Sequence, residues 1–361
     1  MVALMTSDDG SDRPAREWQQ SGPMKDDDVG WLVDRLPPRI RAPIRCEADY
    51  YGASSVIASA VGRAEPPKST AYWTHGWIGQ ELRHPRQYAR GEPGDRHLVA
   101  TDRQAAFLRQ AGFRRVEAVG LPIAYVEDRP IERLPNSLLI MPPHSLPYTK
   151  HSWREREYVD LIVQLREQFS CVVTCVNRYC VDSGVWTEAL RQRGIPWIVG
   201  ADLEDRNSLL RTSRIFRSFE FMTTNAIGSH VAYAAYFGCR VSVHGPLEVP
   251  REEDYRNDPW YRKYPEVLHL NLESAQEARV RERWPWLFCD PGDAAPGDDW
   301  GREMVGERFK RPARQIARLL GWSAVGRFVE TVRESRRRVE RWPGRLLNRV
   351  QRMRRGRATR S

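Results

Sequence analysis

The chain has 361 residues, 41% of them hydrophobic and 29% charged, more than one ordinary core holds and suited to two α/β domains of roughly 150 residues each. Its formal net charge of +10 sits in residues 331–361, which carry twelve Arg and two Glu and leave the rest of the chain neutral. A neutral body with a basic tail excludes a nucleic-acid-binding core and fits an electrostatic tether.

Residues 1–28 pair a short apolar run with acids, which predicts a disordered lead-in and no signal peptide. From about residue 40 strands and helices alternate. STAYWTHGW is a short strand running into a loop at His75. RHLVATD is a strand whose Asp102 can cap the helix RQAAFLRQAGF, with Gly112 as its stop, and RRVEAVGLP is a third strand. IAYVEDRPIERLPN has two prolines and no periodicity, so a boundary is expected near 126–136. The alternation then restarts. SLLIMPPHS, SCVVTCVN, IPWIVG, FEFMTTN and CRVSVHG read as strands. WREREYVDLIVQLREQF, VWTEALRQRG, DRNSLLRTSR and GSHVAYAAYFG read as helices. Such alternation predicts an α/β fold with parallel sheets covered on both faces, here two Rossmann-like domains facing a cleft. The expected units are the lead-in 1–28, a first domain 29–130, a second 131–307 and a basic helical tail 308–361. Residues 250–300, rich in Trp, Pro and Asp, are expected to be irregular apart from a helix near LESAQEARVRERW.

Three loops fall where chemistry is expected, outside the carboxyl ends of parallel strands. The first is TTNAIGSH, in which Thr223, Thr224 and Asn225 end a strand. Gly228 lets a ligand approach the backbone, Ser229 takes a capping position and His230 opens the helix. A helix N-terminus there favours an anion through its free N–H groups and dipole. The second is MPPHSLPYTKHSW, with His144, Ser145, Thr149, Lys150 and His151 within eight residues, suited to neutralising a phosphate. The third holds His75 before Gly76, where an imidazole can take a proton from a hydroxyl; Glu81 and Asp49 are alternative bases. The six cysteines form no CxxC pair and read as reduced core residues of a cytosolic protein. Cys171, Cys175 and Cys180 lack the spacing of a common zinc site, and Asp298 and Asp299, a pair able to hold a metal, fall in a segment expected to be irregular, so no metal is expected. In the tail, Leu346, Leu347, Val350 and Met353 form one stripe among arginines, the pattern of a helix lying on anionic lipid.

THGW, RRVEAVGLPIAYV and TTNAIGSHVAYAAYFGCRVSVHGP together resemble bacterial GT-B-type glycosyltransferases of surface-polysaccharide assembly, over roughly residues 45–250. The resemblance implies a first domain that binds the acceptor and a second that binds a nucleotide-sugar. His75 or Glu81 would be the base. His144, Ser145, Lys150, Thr223, Thr224, Asn225, Gly228, Ser229 and His230 would hold the donor phosphate. It implies no metal and no cofactor beyond the nucleotide-sugar co-substrate. It also implies a saccharide or lipid-linked acceptor, a cytoplasmic enzyme peripheral to the inner membrane face, and a crossing of Arg314–Leu320 back to the first domain. The glutamate that holds the nucleotide ribose in many such enzymes has only Glu220 and Glu248 as counterparts. A nucleotide-sugar epimerase of the same fold and a non-catalytic glycan- or membrane-surface-binding protein are the alternatives.

Overall fold

The computed structural model describes residues 29–323 other than 128, 146, 147, 150 and 152. The lead-in 1–28, Lys150 and the arginine-rich segment 324–361 lie outside the described residues. Eight strands form two wholly parallel sheets. The first has the order β1-β2-β3, from Ala71–Trp73, Arg96–Val99 and Arg115–Ala118. The second uses β4 Leu134–Ile140, β5 Cys171–Val176, β6 Trp197–Val199, β7 Phe219–Thr224 and β8 Arg240–Val243 in the order β6-β5-β4-β7-β8. All eight expected strands are present. The chain lays β5 and β6 on one side of β4 and then returns to lay β7 and β8 on the other. This puts a topological switch point at the carboxyl ends of β4 and β7, where loops diverge and leave a crevice.

The local chemistry explains most element ends. The helix Asp102–Gln110 starts on Thr101, whose side chain accepts from Gln104 N while Gln104 Oε1 accepts from Thr101 N at 3.3 Å. That reciprocal box displaces the expected cap, Asp102, into the first turn, where its charge still meets the positive helix end. The helix Ser229–Tyr236 begins one residue earlier than its expected cap implies: Gly228, not Ser229, is the N-cap, and no side chain caps it. Residues 250–300 are more ordered than expected. Helices Pro259–Lys263, Pro265–Ser274 and Glu277–Arg283 run in succession, and prolines in the first turn start two of them. Asp298 and Asp299 form the acidic first turn of the helix Asp298–Val305.

One apolar cluster runs from Ile57 and Trp73 through Leu139 and Met222 to Ile316 and Trp322, so both sheets share it. The chain returns to the first sheet at its described end. Leu121 N donates to Val305 O at 2.8 Å and Thr70 N to Leu320 O at 2.9 Å, and Trp322 Nε1 donates to Ser69 Oγ at 3.0 Å. The helix Ala313–Leu319 packs on the helix Ala53–Ala60. A second clasp is electrostatic. Asp205 and Arg211, with side chains 1% and 3% exposed, pair at 3.5 Å; Asp205 also accepts from Ile40 N, and Arg211 donates to Pro37 O. All six cysteines are free thiols. No helix among the described residues is long and apolar enough to cross a membrane.

Candidate functional site: a two-chambered cleft at the switch point

The crevice predicted by the strand order is occupied by a cavity of about 150 Å³. Met141, Pro142 and His144 reach it from the exit of β4, and Asn177 from β5. Ser208 comes from the helix after β6, and Ser229 and His230 from the helix after β7. Tyr51, His75 and Gly76 close it from the side of the first sheet. The helices Ser208–Ser218 and Ser229–Tyr236 both present their N-terminal turns here. No Asp or Glu is among the lining residues, so nothing in the wall opposes an anion drawn by the partial positive charge of those helix ends.

The two halves meet at Gly76 and Ser229. Ser229 Oγ donates to Trp77 O at 3.3 Å, and Tyr233 OH donates to His75 O at 2.6 Å. A Cβ on Gly76 would fall 2.6 Å from Ser229 Oγ, so only glycine admits this approach. Beyond the junction a second chamber of about 330 Å³ opens between the β1 loop and the helices of residues 259–284. His75, Gly76 and Ser229 line both chambers.

His75 stands at that junction with Nδ1 3.5 Å from Glu47 Oε1. Glu47 is 9% exposed and lines the second chamber. The distance exceeds a good hydrogen bond, as is common for catalytic pairs before substrate binds. Tyr50 and Tyr51 pack on the imidazole at centroid distances of 5.1 and 5.6 Å. The turn that carries them is strained. Tyr51 has φ +56° and Gly52 φ +76°, and a Cβ on Gly52 would strike the Arg206 carbonyl. A left-handed tyrosine costs on the order of 1–3 kcal/mol and persists only where its surroundings fix it.

Two imidazoles of the first chamber, His144 and His230, have lowered pKa values. His144 is exposed to the cleft, while the protein packed around it, with His151 nearby, pushes its pKa down, to about 4. Burial pushes His230 down to about 3, with His144 adding to the effect. His230 Nε2 lies 3.0 Å from Thr224 Oγ1.

The fold brings together His75, His144, Gly228, Ser229 and His230 along the two chambers. It sets the other described candidates apart. Thr223, Thr224 and Asn225, expected at a donor phosphate, are buried and turned inward. Thr223 Oγ1 accepts from Ser242 Oγ at 2.8 Å, Thr224 Oγ1 accepts from Ala226 N, and Asn225 Nδ2 donates to Pro246 O. Their strand is central and covered on both faces, so these side chains turn into the protein, although Asn225 Oδ1 finds no hydrogen-bond partner there. Ser145 is not among the lining residues; its N–H meets Cys180 Sγ at 3.3 Å. Glu81 is exposed and paired with Arg283 at 3.0 Å, outside both chambers. Asp49 accepts from Ser54 Oγ and Arg45 N. Glu220 Oε2 accepts from Asn136 N near the start of β7, the opposite edge from the cleft, and Glu248 Oε1 accepts from Arg154 N. Gly228 has extended backbone, which any residue adopts; what crowds a side chain there is the His230 ring, 3.0 Å from a built Cβ. Among the described residues no group of three or more His, Cys, Asp or Glu is arranged to hold a metal ion.

The two sheets and the helices that cover them define a parallel α/β protein. No protein-family model and no curated protein matches the chain. Among solved structures it is similar to TarM of S. aureus (10% identity, 74% of this chain and 53% of TarM, TM-score 0.31). It is also similar to a Listeria monocytogenes protein assigned as a UDP-N-acetylglucosamine 2-epimerase (14% identity, 80% and 83%, TM-score 0.38). The pneumococcal O-GlcNAc transferase GtfA, solved with UDP and GlcNAc, is a third (14% identity, 73% and 52%, TM-score 0.32). The chain spans about half the length of TarM and of GtfA.

Proposed function

We propose that this chain is a glycosyltransferase of GT-B type that moves a sugar from a nucleotide-sugar to a saccharide or lipid-linked acceptor in cell-surface polysaccharide assembly. One observation carries the reading: a single cleft joins an anion-suited chamber at the switch point to a second chamber, with the Glu47–His75 pair at the junction. The donor diphosphate would lie against the N-terminal turns of Ser208–Ser218 and Ser229–Tyr236, with His144 beside it. As the sugar–phosphate bond breaks, negative charge grows on the departing phosphate, and fixed N–H groups stabilise it without reorganising. His75 would accept the acceptor hydroxyl proton on the ring nitrogen that does not face Glu47, while Glu47 orients the ring and balances its charge. In this reading the leaving group is stabilised by helix-end N–H groups and by hydrogen bonds from imidazole N–H groups, with neither metal nor cofactor, and EDTA leaves turnover intact. The boundary between a first, acceptor-binding domain and a second, donor-binding one falls near residue 130. The basic tail would hold the protein to the inner membrane face, where lipid-linked acceptors reside.

The test is a thermal-shift screen of the intact protein against UDP-, GDP-, CMP- and TDP-sugars. A ligand at a hundred times its dissociation constant adds ~2.7 kcal/mol of stability. Silence from all four defeats the reading and leaves a non-catalytic surface-binding protein. A buried carboxylate in the cleft, Glu47, also favours a second reading, a nucleotide-sugar epimerase. Conversion of the donor sugar with no acceptor present would select it.

A further inference from the structure

The second chamber is built from more than the transfer chemistry needs. Its wall is aromatic: Trp77 and Trp284 lie with ring centroids 5.1 Å apart, and Trp260 lies beneath the guanidinium of Arg90, 4.2 Å from its centroid. Flat indole faces beside polar groups suit a pyranose, whose ring is apolar on its C–H faces and polar at its rim.

Two polar groups in this wall lack partners. Arg90 is exposed, and no carboxylate among the described residues lies within ion-pair distance of it. Its neighbour Arg86 is occupied by the carbonyls of Ala89 and Gly91 and by Glu92. Arg90 is also fixed in place, held over Trp260 and close enough to Tyr50 and Tyr261 for its charge to act on both phenols. Asn271 donates through Nδ2 to Tyr261 OH at 2.6 Å, while its Oδ1 is buried with no hydrogen-bond partner. A buried carbonyl oxygen left in this way is destabilising, and a turn of the Asn271 amide toward the chamber would let a sugar hydroxyl satisfy it. Glu47, the carboxylate of the chamber, sits beside His75. The chamber therefore has a negative end at the junction and a positive group at Arg90.

We infer that the second chamber is a subsite for an anionic saccharide. Arg90 holds the acidic substituent, Asn271 Oδ1 accepts a ring hydroxyl, and the indoles carry the ring face. Repulsion from Glu47 and attraction to Arg90 orient the sugar so that an uncharged hydroxyl, not its acid group, is presented to His75. Only that last clause rests on the transfer reading.

The experiment measures binding of trigalacturonate, and of the same trisaccharide with its carboxyls methyl-esterified, to the full chain by tryptophan fluorescence. The acid form should bind about tenfold or more tighter than the ester, the scale of one charge-assisted hydrogen-bond pair. Arg90→Gln should remove that difference, and Arg90→Lys should restore part of it. A phosphorylated sugar, glucose 6-phosphate, tests whether a phosphate serves as well as a carboxylate. Equal binding of acid and ester, a preference that survives Arg90→Gln, or no binding of any of the three probes would overturn the inference. The nucleotide-sugar thermal shift, measured on the same Arg90→Gln protein, separates the two failures: if it persists while the acid preference is absent, the subsite is wrong and the donor chamber stands.

Discussion

Glu47 and His75 are close without being hydrogen-bonded, which makes their contribution separable. His75→Ala should lower turnover by about 10²–10⁴-fold, the range for a lost general base. Glu47→Gln should lower kcat by at least about tenfold and leave KM for the donor unchanged, because it acts through the imidazole. An unchanged kcat in either variant removes the pair from the chemistry. The position of His75 could be read from the sequence, since it follows a strand and precedes Gly76, and that places it at a strand's carboxyl end. Glu47 could not. It stands two residues from Asp49, and only the left-handed turn at Tyr51 and Gly52 decides which carboxylate faces the cleft. The first chamber makes a pH prediction. The lowered pKa values of His144 and His230 mean that the unfolded chain binds more protons between pH ~6.5 and the folded values. Their neutral burial is fully accommodated above about 6.5, and stability falls as pH drops through that window toward about 4 and about 3. A bound nucleotide-sugar diphosphate opposes this by favouring the charged imidazole. Donor affinity, measured by calorimetry, should therefore rise as pH falls from about 7 to about 5, with net proton uptake. His144→Gln should flatten the dependence; a wild-type affinity independent of pH would place the anion away from His144.

At the scale of elements, the cleft depends on the β1 loop and the helix Ser229–Tyr236 touching at two small residues. Gly76→Ala should destabilise the protein by ~1–3 kcal/mol, the usual cost of overpacking. Adding Ser229→Ala should recover most of that loss, since the new methyl collides with the hydroxyl and not with the backbone. Urea melts of the four proteins complete the cycle, and additive losses would refute the contact. The strands were legible because buried parallel strands are short β-branched and aromatic runs between turn signals, as in CVVTCV and FEFMTT. The helices Pro259–Lys263 and Pro265–Ser274 were not, because their starts rest on prolines, which also mark loops, whereas Glu277–Arg283 falls within the expected LESAQEARVRERW. Thr223 to Asn225 misled for a related reason: hydroxyls at a strand end look the same whether the neighbouring strand or a ligand satisfies them.

Across the whole molecule, the apolar cluster joins the sheets, and the Asp205–Arg211 pair holds the segment of Pro37 and Ile40 that precedes the first sheet. Arg211→Met should destabilise by ~3–5 kcal/mol in denaturant melts, because it strands the Asp205 carboxylate in the interior. Restoration by a second change, Asp205→Asn, would show that the penalty belongs to the unpaired charge, and a loss under ~1 kcal/mol would show the pair to be dispensable. The proposed tether lies in the basic tail, outside the described residues. Deleting residues 336–361 should release the protein from anionic liposomes at low salt and leave turnover in solution intact; equal binding by the truncated protein refutes the tether. Composition revealed that charge asymmetry at once, because it needs no fold. The route by which the chain rejoins its first sheet is a long-range contact that no local pattern encodes.

That return sets an order of events during synthesis. Ser69 and Thr70, which precede β1, are bonded to Trp322 and Leu320, some 250 residues later. At ribosomal rates of ~5–20 residues per second, the nascent first sheet waits on the order of ten seconds or more for the segment that seals it. Through that interval Ile57, Trp73 and their neighbours lack part of their cover, so the β1–β3 region is where chaperones should engage the growing chain.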